Sequence, residues 1–417
     1  MAVINRQTGV RAWGSPFVLQ LLTIMFITEF VKGALLISLL PVYMSESLGL
    51  SASAIGWALA AQYIGDNAFR SPLGFMIDRA GYRIVMLGGV LLTFASVVIA
   101  AIFTAPAWMV AACLLLGAGT SPLWPCVITG STSAAGPESS GTIMSVIYMA
   151  WLSGVGIGPI VINFFIIDSY RPAFLLLMII MTAVTLVTLL LPGRSRQAAH
   201  SNEPQTSKPI AHHPRSDRSG IAAYLRRVGR SVNASPLLYP AMFAQTMALG
   251  LLVPVLTLYA RTVLGLTPQQ YSYFLLAGGA ITVLGLIPVG KLVDKVGTAP
   301  FLHTGFIAAA VALPMLGMTV RPAVALPIIV LVGLAFACVI PAWNALIAYA
   351  IPKEERGAVW GFFLTVEGTG TVLGSVLSGF LWDRFGPHAP FIASGSVMAL
   401  LFILHLFISQ RRKVMIT

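Results

Sequence analysis

Twelve long apolar segments are the feature of this sequence that most restricts its fold. A run of about 20 apolar residues can cross a bilayer as a helix, and backbone in lipid must satisfy its hydrogen bonds internally. A membrane β-barrel would instead show alternating segments of about 10 residues. We therefore predict an all-α membrane protein with twelve transmembrane helices. The predicted spans are residues 15–42, 52–78, 84–104, 106–131, 141–166, 172–192, 235–264, 268–292, 298–318, 322–350, 357–382 and 387–409.

The composition excludes the other broad classes of protein. Charged residues make up 9% of the chain and hydrophobic residues 57%, whereas soluble domains carry roughly 25% charged residues. Such a chain could not cover a soluble surface, and it has too much apolar surface to remain disordered. Three cysteines in 417 residues do not form a disulfide scaffold.

A polar and strongly basic segment at residues 193–234 divides the spans into six and six. We expect an N-terminal bundle over residues 1–192 and a C-terminal bundle over residues 235–417. Ile221 and Leu225 fall with other apolar residues on one helical face of the linker, and its arginines fall on the other. This pattern favours an amphipathic helix on the cytoplasmic leaflet, and a disordered linker is the alternative.

The distribution of Lys and Arg predicts the orientation. These residues are concentrated at both ends of the chain, in the linker, and in short turns such as 79–83 and 291–295. Because loops rich in Lys and Arg stay on the cytoplasmic side, we expect both termini to be cytoplasmic. The net charge of +12 then reflects topology, and it does not indicate a nucleic acid partner, which needs a basic face on a soluble module.

The two halves of the chain repeat each other at an offset of 216 residues. The stretch Gly74-Phe-Met-Ile-Asp78-Arg79-Ala-Gly81 recurs as Gly290-Lys-Leu-Val-Asp294-Lys295-Val-Gly297. Four further glycines, at 117, 141, 154 and 158, recur at 333, 357, 370 and 374. An ordered series at one offset indicates an internal duplication.

Ionisable residues inside the predicted spans are candidates for function, because charge in the bilayer is costly. Span 1 carries Glu29 and Lys32 one turn apart, span 2 carries Asp66 and Arg70 at i and i+4, and span 11 carries Glu367. The N-terminal bundle therefore holds most of the charge, which predicts an amphiphilic cavity. The alternative for each pair is an internal structural salt bridge, and for Glu367 a protonated core carboxyl.

Two tryptophans lie deeper in the predicted spans than the interfacial positions that are typical of membrane tryptophans. Trp124 is in span 4, after Pro122, and Trp151 is in span 5. Tryptophan faces stack on sugar rings and on cations, so both are candidate substrate contacts. Packing within the bundle is an equally good explanation for both.

The motif G-x-x-x-D-R-x-G between spans 2 and 3, its copy between spans 8 and 9, and the central linker resemble the major facilitator superfamily. That resemblance implies two six-helix bundles, a substrate site between them at mid-membrane, and alternating access by rocking. We expect the turn residues Gly74, Asp78, Arg79, Gly81, Asp294 and Lys295 to form a latch that closes the cytoplasmic side. A plain positive-inside turn is the alternative.

Span 5 reads Gly154-Val-Gly-Ile-Gly158-Pro159. This resembles the antiporter motif of the same superfamily, whose glycines and proline line the joint between the halves, although Ile162 and Asn163 stand where that motif has two glycines. Small residues at this spacing also serve ordinary helix packing. The motif modestly favours export.

A narrower set of residues resembles the proton-coupled flippases of the lipoteichoic-acid glycolipid anchor from Gram-positive bacteria. The set comprises Glu29-Phe-Val-Lys32, Asp66-Asn67, Ser121-Pro-Leu-Trp124, Tyr148-Met-Ala-Trp151-Leu-Ser-Gly154 and Pro341-Ala-Trp343-Asn344. The resemblance implies a hydrophilic headgroup pocket in the first half, an apolar pocket for acyl chains in the second half, and a bacterial cell membrane location. Lys32 stands where that family has Arg, and Arg70 is an additional charge.

The sequence thus predicts a proton-coupled secondary transporter, and not an enzyme, that exports or flips an amphiphile. Asp66 and Glu29 are the predicted proton-coupling residues, and Glu29, Lys32, Asp66, Arg70, Trp124, Trp151 and Glu367 are the predicted substrate contacts. A multidrug/proton antiporter for lipophilic cations is the alternative, and a signalling sensor with a transporter-like body is a third class. We predict no cofactor and no metal site, and we expect a monomer whose partners are its substrate, protons and membrane lipids.

Overall fold

The computed structural model describes residues 15–135, 140–193, 237–350 and 356–414. In the first half, the helices are α1 (Pro16–Ser47), α2 (Ala52–Ala80), α3 (Tyr82–Ile102), α4 (Pro106–Thr120 and Leu123–Ala135), α5 (Ser140–Ile162) and α6 (Arg171–Leu189). In the second half they are α7 (Leu238–Gly250 and Leu256–Thr262), α8 (Pro268–Val296), α9 (Ala299–Met318), α10 (Pro322–Ala350), α11 (Arg356–Phe385) and α12 (Ala389–Val414).

The predicted all-α fold with twelve helices in two bundles is confirmed. Within the described residues, ten of the helices are long and apolar enough to cross a membrane. Of the other two, α2 carries Asp66 and Arg70 in its middle, and α7 is interrupted by a turn at residues 251–255. Each half has its own buried apolar core. The predicted linker helix falls in residues 194–236, outside the described ranges.

Helices α1 to α12 alternate in direction, so their connections lie on two opposite faces. The loop face carries the connections 48–51, 166–170, 263–267 and 386–388, and the turn face carries the short turns at Gly81 and Gly297. These two names are used below for the two ends of the molecule.

The duplication is visible in the backbone as well as in the sequence. Gly81 and Gly297 end α2 and α8 with φ of 80° and 94°, and Gly49 and Gly265 both have φ of 63°. Such left-handed conformations favour glycine, which has no Cβ. The first turns are also capped alike, because the Oγ of Ser51 accepts the N–H of Ala54 and the Oγ1 of Thr267 accepts that of Gln270. All of these pairs are 216 residues apart.

Helix α1 departs from α-helical geometry just after its charged residues. Its turns over Ala34–Leu39 and Tyr43–Ser47 are π-helical. Pro41 has no N–H, so the carbonyl of Ile37 lacks its usual donor four residues later. The hydroxyl of Thr257, from α7 in the other half, donates to that carbonyl instead. A proline in α1 therefore creates a point of attachment for the second half.

Close packing of α1 on α5 depends on glycine. A Cβ at Gly154 would collide with the backbone of Phe26, and one at Gly158 with the backbone of Phe30. These two glycines therefore contact α1 of their own half. The joint with the second half lies slightly further along α5, where the carbonyl of Ile160 accepts a hydrogen bond from Ser272.

The second half repeats this arrangement at the equivalent positions. A Cβ at Gly370 of α11 would collide with the carbonyl of Phe243 in α7, and one at Gly374 with the carbonyl of Met247. In each half, two helices are thus packed backbone to backbone.

This packing predicts that Gly158→Ala lowers the thermal stability of the protein in detergent. The added methyl group meets backbone, which cannot move aside cheaply, so we expect a loss of about 1–3 kcal/mol. Gly156→Ala is the matched control, since it lies on the same helix and its Cβ would have nothing within 4 Å. Apparent melting temperatures measure both, and an equal response of the two variants would contradict the packing role.

Candidate functional site

Four charged side chains from α1 and α2 form one cluster inside the first half. The Nζ of Lys32 lies 3.6 Å from Oε2 of Glu29 and 3.8 Å from Oδ2 of Asp66. The Nη2 of Arg70 lies 3.0 Å from the same Oδ2. The two pairs predicted from spacing are therefore joined by a contact between helices, and Asp66 is shared by two cations. With two acids and two bases, the cluster is neutral when all four are ionised.

The two ends of this cluster differ in accessibility. The Glu29 side chain is 1% exposed, whereas the side chains of Asp66, Lys32 and Arg70 are 13%, 16% and 27% exposed. Arg70 also lies within electrostatic range of Glu367, on α11 of the other half. The more accessible end of the cluster is therefore the end that interacts with a charged residue of the second half.

Glu29 has fewer stabilising polar contacts than Asp66. Neither of its carboxylate oxygens has a hydrogen-bond partner among the described residues, although both are buried. Lys32, at 3.6 Å, supplies its nearest opposite charge. A buried carboxylate with so little support is expensive to keep ionised. The hydroxyl of Thr28 and the amide of Gln62 are also buried and without a described partner.

Three aromatic rings form a second cluster in the first half. The ring of Trp124 lies 5.2 Å from that of Tyr148 and 5.8 Å from that of Trp151, centroid to centroid. The turn at Ser121 and Pro122 interrupts α4 just before Trp124. Tyr148, which is 44% exposed, was not among the predicted site residues. Tyr148 lies three residues before Trp151, and residues at this spacing share a helix face. This spacing is the sequence feature that associates Tyr148 with Trp151.

Glu367 connects the aromatic cluster with the charged one. It lies within electrostatic range of Tyr148 as well as of Arg70. Next to it, Gly368 packs directly against the side chain of Asn67 in α2. The predicted substrate residues of the first half and Glu367 of the second half are therefore brought towards a common region.

The second half contributes little charge at the positions that correspond to the cluster. Gln245, the equivalent of Glu29, is buried in α7. Thr282, the equivalent of Asp66, donates to the carbonyls of Gly278 and Gly333. The asymmetry of charge that the sequence indicates is thus present in the three-dimensional structure.

The predicted latch residues lie at the turn face. Asp294 and Lys295 are exposed in the last turn of α8, and Arg79 is exposed in that of α2. For Gly74 and Asp78, the structure describes only the helical backbone of α2. Gly81 and Gly297 end the two helices, as the motif requires, and the latch itself remains a prediction.

This architecture defines the class of protein: a multi-pass helical membrane protein built from two related halves, with a cluster of four charged side chains in the first half. The chain belongs to the Major Facilitator Superfamily, whose family model matches residues 21–368 and 238–415. It is therefore a membrane transporter and not an enzyme.

Curated relatives cover most of the chain. The proton-coupled antiporter flippase LtaA of Staphylococcus saprophyticus is 26% identical over 374 residues, which cover 87% of this chain and 86% of that protein. LtaA of Staphylococcus aureus is 24% identical over 371 residues, covering 88% and 87%. The resemblance to this group of flippases is confirmed.

Solved structures of the superfamily share the fold. The nucleoside transporter NupG superposes with a TM-score of 0.73 at 15% identity, covering 94% of this chain and 98% of that chain. A POT family transporter in complex with a thioalcohol-conjugated peptide gives 0.72 at 16% identity, covering 94% and 96%. At such identities these likenesses support the fold and carry no information on the substrate.

Proposed function

We propose that this protein is a proton-coupled secondary transporter that moves an amphiphile outward, or from one leaflet to the other, by rocker-switch alternating access. A glycolipid anchor is the substrate that fits best. The observation that carries the proposal is the cluster of Glu29, Lys32, Asp66 and Arg70, which is largely buried within predicted membrane spans and whose Arg70 interacts electrostatically with Glu367 of the other half.

The same proposal places the protein in a bacterial cell membrane with its turn face and both termini in the cytoplasm. Basic residues near Gly81 and Gly297 support this orientation, because Lys and Arg favour the cytoplasmic side. The flippase relatives named above are bacterial.

Coupling to protons follows from the way the cluster shares its charges. Lys32 can pair with Glu29 or with Asp66, since both carboxylates lie within 4 Å of its Nζ. A carboxylate that keeps its cation stays ionised, and one that loses it in apolar surroundings tends to take up a proton. If substrate or rocking draws Lys32 or Arg70 away, Glu29 or Asp66 binds a proton on one side and releases it on the other.

The distribution of polarity favours an amphiphile over a small polar solute. The first half offers charges and three aromatic rings in edge-to-face and tilted contact, which suit a sugar headgroup. The second half offers an apolar wall with Glu367 as its charged residue in this region, which suits acyl chains. Relatives that are named proton-coupled flippases support the same substrate class.

Lipophilic cations are the second candidate substrates. Glu367 lies within electrostatic range of Tyr148, which packs against Trp124 and Trp151. A carboxylate beside an aromatic cluster is an arrangement that binds cations. This observation favours a multidrug/proton antiporter as the alternative.

Purified protein in liposomes tests the two candidates directly. We expect a fluorescent glycolipid to move between leaflets, and to move faster when a pH gradient is imposed. Fluorescence quenching by an impermeant reductant measures the fraction in each leaflet. Gradient-driven efflux of a cationic dye without lipid movement would reject the flippase in favour of the drug antiporter.

Asp66→Asn should abolish transport driven by the pH gradient and leave substrate exchange measurable. The amide cannot exchange a proton, yet it keeps the shape of the side chain and one acceptor oxygen. Asp168→Asn, an exposed position at the loop face, is the control and should leave transport unchanged. Undiminished gradient dependence in Asp66→Asn would remove Asp66 from the coupling role.

Trp151→Ala should weaken transport of a sugar-headed substrate more than that of a cationic dye. Loss of one stacking face should raise the apparent KM for the glycolipid roughly tenfold. Trp108→Ala is the control, because Trp108 stacks on Phe103 at the loop face, away from the site. Equal losses for both substrates would reduce Trp151 to a packing residue.

A further inference from the structure

The end of α11 contains a third copy of the turn motif. Residues 379–386 read Gly-Phe-Leu-Trp-Asp-Arg-Phe-Gly, against Gly-Phe-Met-Ile-Asp-Arg-Ala-Gly at residues 74–81. Gly386 ends the helix with φ of 92°, as Gly81 does with φ of 80°. The first copy lies at the turn face and this one at the loop face, so the same motif occurs at opposite ends of the molecule.

The third copy contacts the other half through its aspartate. The backbone N–H of Ala52 donates to Oδ1 of Asp383 at 3.1 Å, and that of Ser53 donates to Oδ2 at 2.8 Å. These N–H groups belong to the first turn of α2 and have no acceptor within their own helix. A carboxylate also interacts favourably with the positive end of the helix dipole. Asp383 therefore caps a helix of the first half from a helix of the second.

Glycine makes this approach possible. A Cβ on Gly379, one turn before Asp383, would collide with the carbonyl of Ala52. The start of α2 thus lies directly on the backbone of α11. The two motif residues have separate roles here. Gly379 allows α11 and the start of α2 to come into contact, and Asp383 accepts the hydrogen bonds.

Helices α8 and α5, which correspond to α2 and α11 in the internal repeat, are also joined at the loop face. The Nε2 of Gln269, at the start of α8, donates to the carbonyls of Asn163 and Ile166 at the end of α5, both at 3.4 Å. Nearby, Arg261 of α7 pairs with Glu46 of α1 at 3.4 Å, and Tyr170 donates to the same carboxylate. The loop face is therefore closed by polar contacts between the halves.

We propose that Asp383 is a gating residue of the transport cycle, whose carboxylate holds the loop face closed by capping α2 across the two halves. This inference rests on the alternating access of the proposed function. When the halves separate at this face, water can hydrate both the carboxylate and the freed N–H groups. The contact therefore biases the closed state without locking it.

Distances between spin labels across the loop face test the role of Asp383. The labels replace Thr104 and Val320, which are exposed loop residues of the first and second halves, in a cysteine-free variant. Without substrate, we expect one short distance for the protein with Asp383 intact. Asp383→Ala should add a longer distance and raise the open population roughly tenfold. Asp383→Asn, which retains one acceptor, should fall between the two.

Two control variants separate gating from simple destabilisation. Ser51→Ala removes the cap that the first half supplies to the same helix, where Oγ of Ser51 accepts the N–H of Ala54 at 3.2 Å. It should lower the melting temperature but leave the distance distribution unchanged. Gly379→Ala should open the loop face as Asp383→Ala does, whereas Gly279→Ala, whose Cβ would meet nothing within 4 Å, should not.

An unchanged distance distribution in both Asp383→Ala and Gly379→Ala would overturn the gating role. So would an equal opening in Ser51→Ala, because the effect would then belong to α2 and not to the contact between halves. The measurement needs neither glycolipid nor proton gradient. Failure of the liposome assay would therefore reject the proposed substrate but not the gating role of Asp383. An unchanged distance distribution would reject the gating role but not the proposed substrate.

Discussion

The polar interior of this protein depends on the carboxylate of Asp66, which lies between two cations. Ionised side chains in a bilayer are tolerated when they are paired and turned towards the interior of the bundle. Here one oxygen of Asp66 serves both Arg70 on its own helix and Lys32 on α1. Removing a partner from such a group leaves an uncompensated charge, which costs far more than the pair contributes. Because the cluster is stabilised by sharing one carboxylate between two cations, a competing charge can alter its pairing.

The two halves share a backbone plan and differ in the chemistry of their inner walls. Duplicated turns, caps and glycine contacts give both halves the same scaffold, 216 residues apart. The positions that carry Glu29 and Asp66 in the first half carry Gln245 and Thr282 in the second. A charged inner region in one half and an uncharged one in the other would suit a molecule with two unlike ends, which is the physical basis for proposing an amphiphile.

Much of this structure follows from local rules that can be applied to the sequence. Apolar length predicted the helices, the repeat predicted the two halves, and the i, i+4 spacing offered the salt bridge of Asp66 with Arg70, which the structure contains, as the alternative to a purely functional role. Contacts between distant elements could not be predicted in this way. The ion pair of Lys32 with Asp66 depends on how α1 packs against α2, and the hydrogen bond that the Ser53 N–H donates to Asp383 joins residues 330 positions apart. The place of Tyr148 in the aromatic cluster depends on the packing of α5 against α4, which brings its ring to Trp124.

The glycine contacts also limit how each half can deform. Because α1 and α5 touch along their backbones at Gly154 and Gly158, and α7 and α11 at Gly370 and Gly374, these pairs have no soft side chains between them to compress. These two helix pairs therefore resist deformation when a bulky molecule binds. Under the proposed rocking mechanism, space for a large headgroup would come from the contact region between the halves, and the relative rotation of the two halves would limit the size of the substrate.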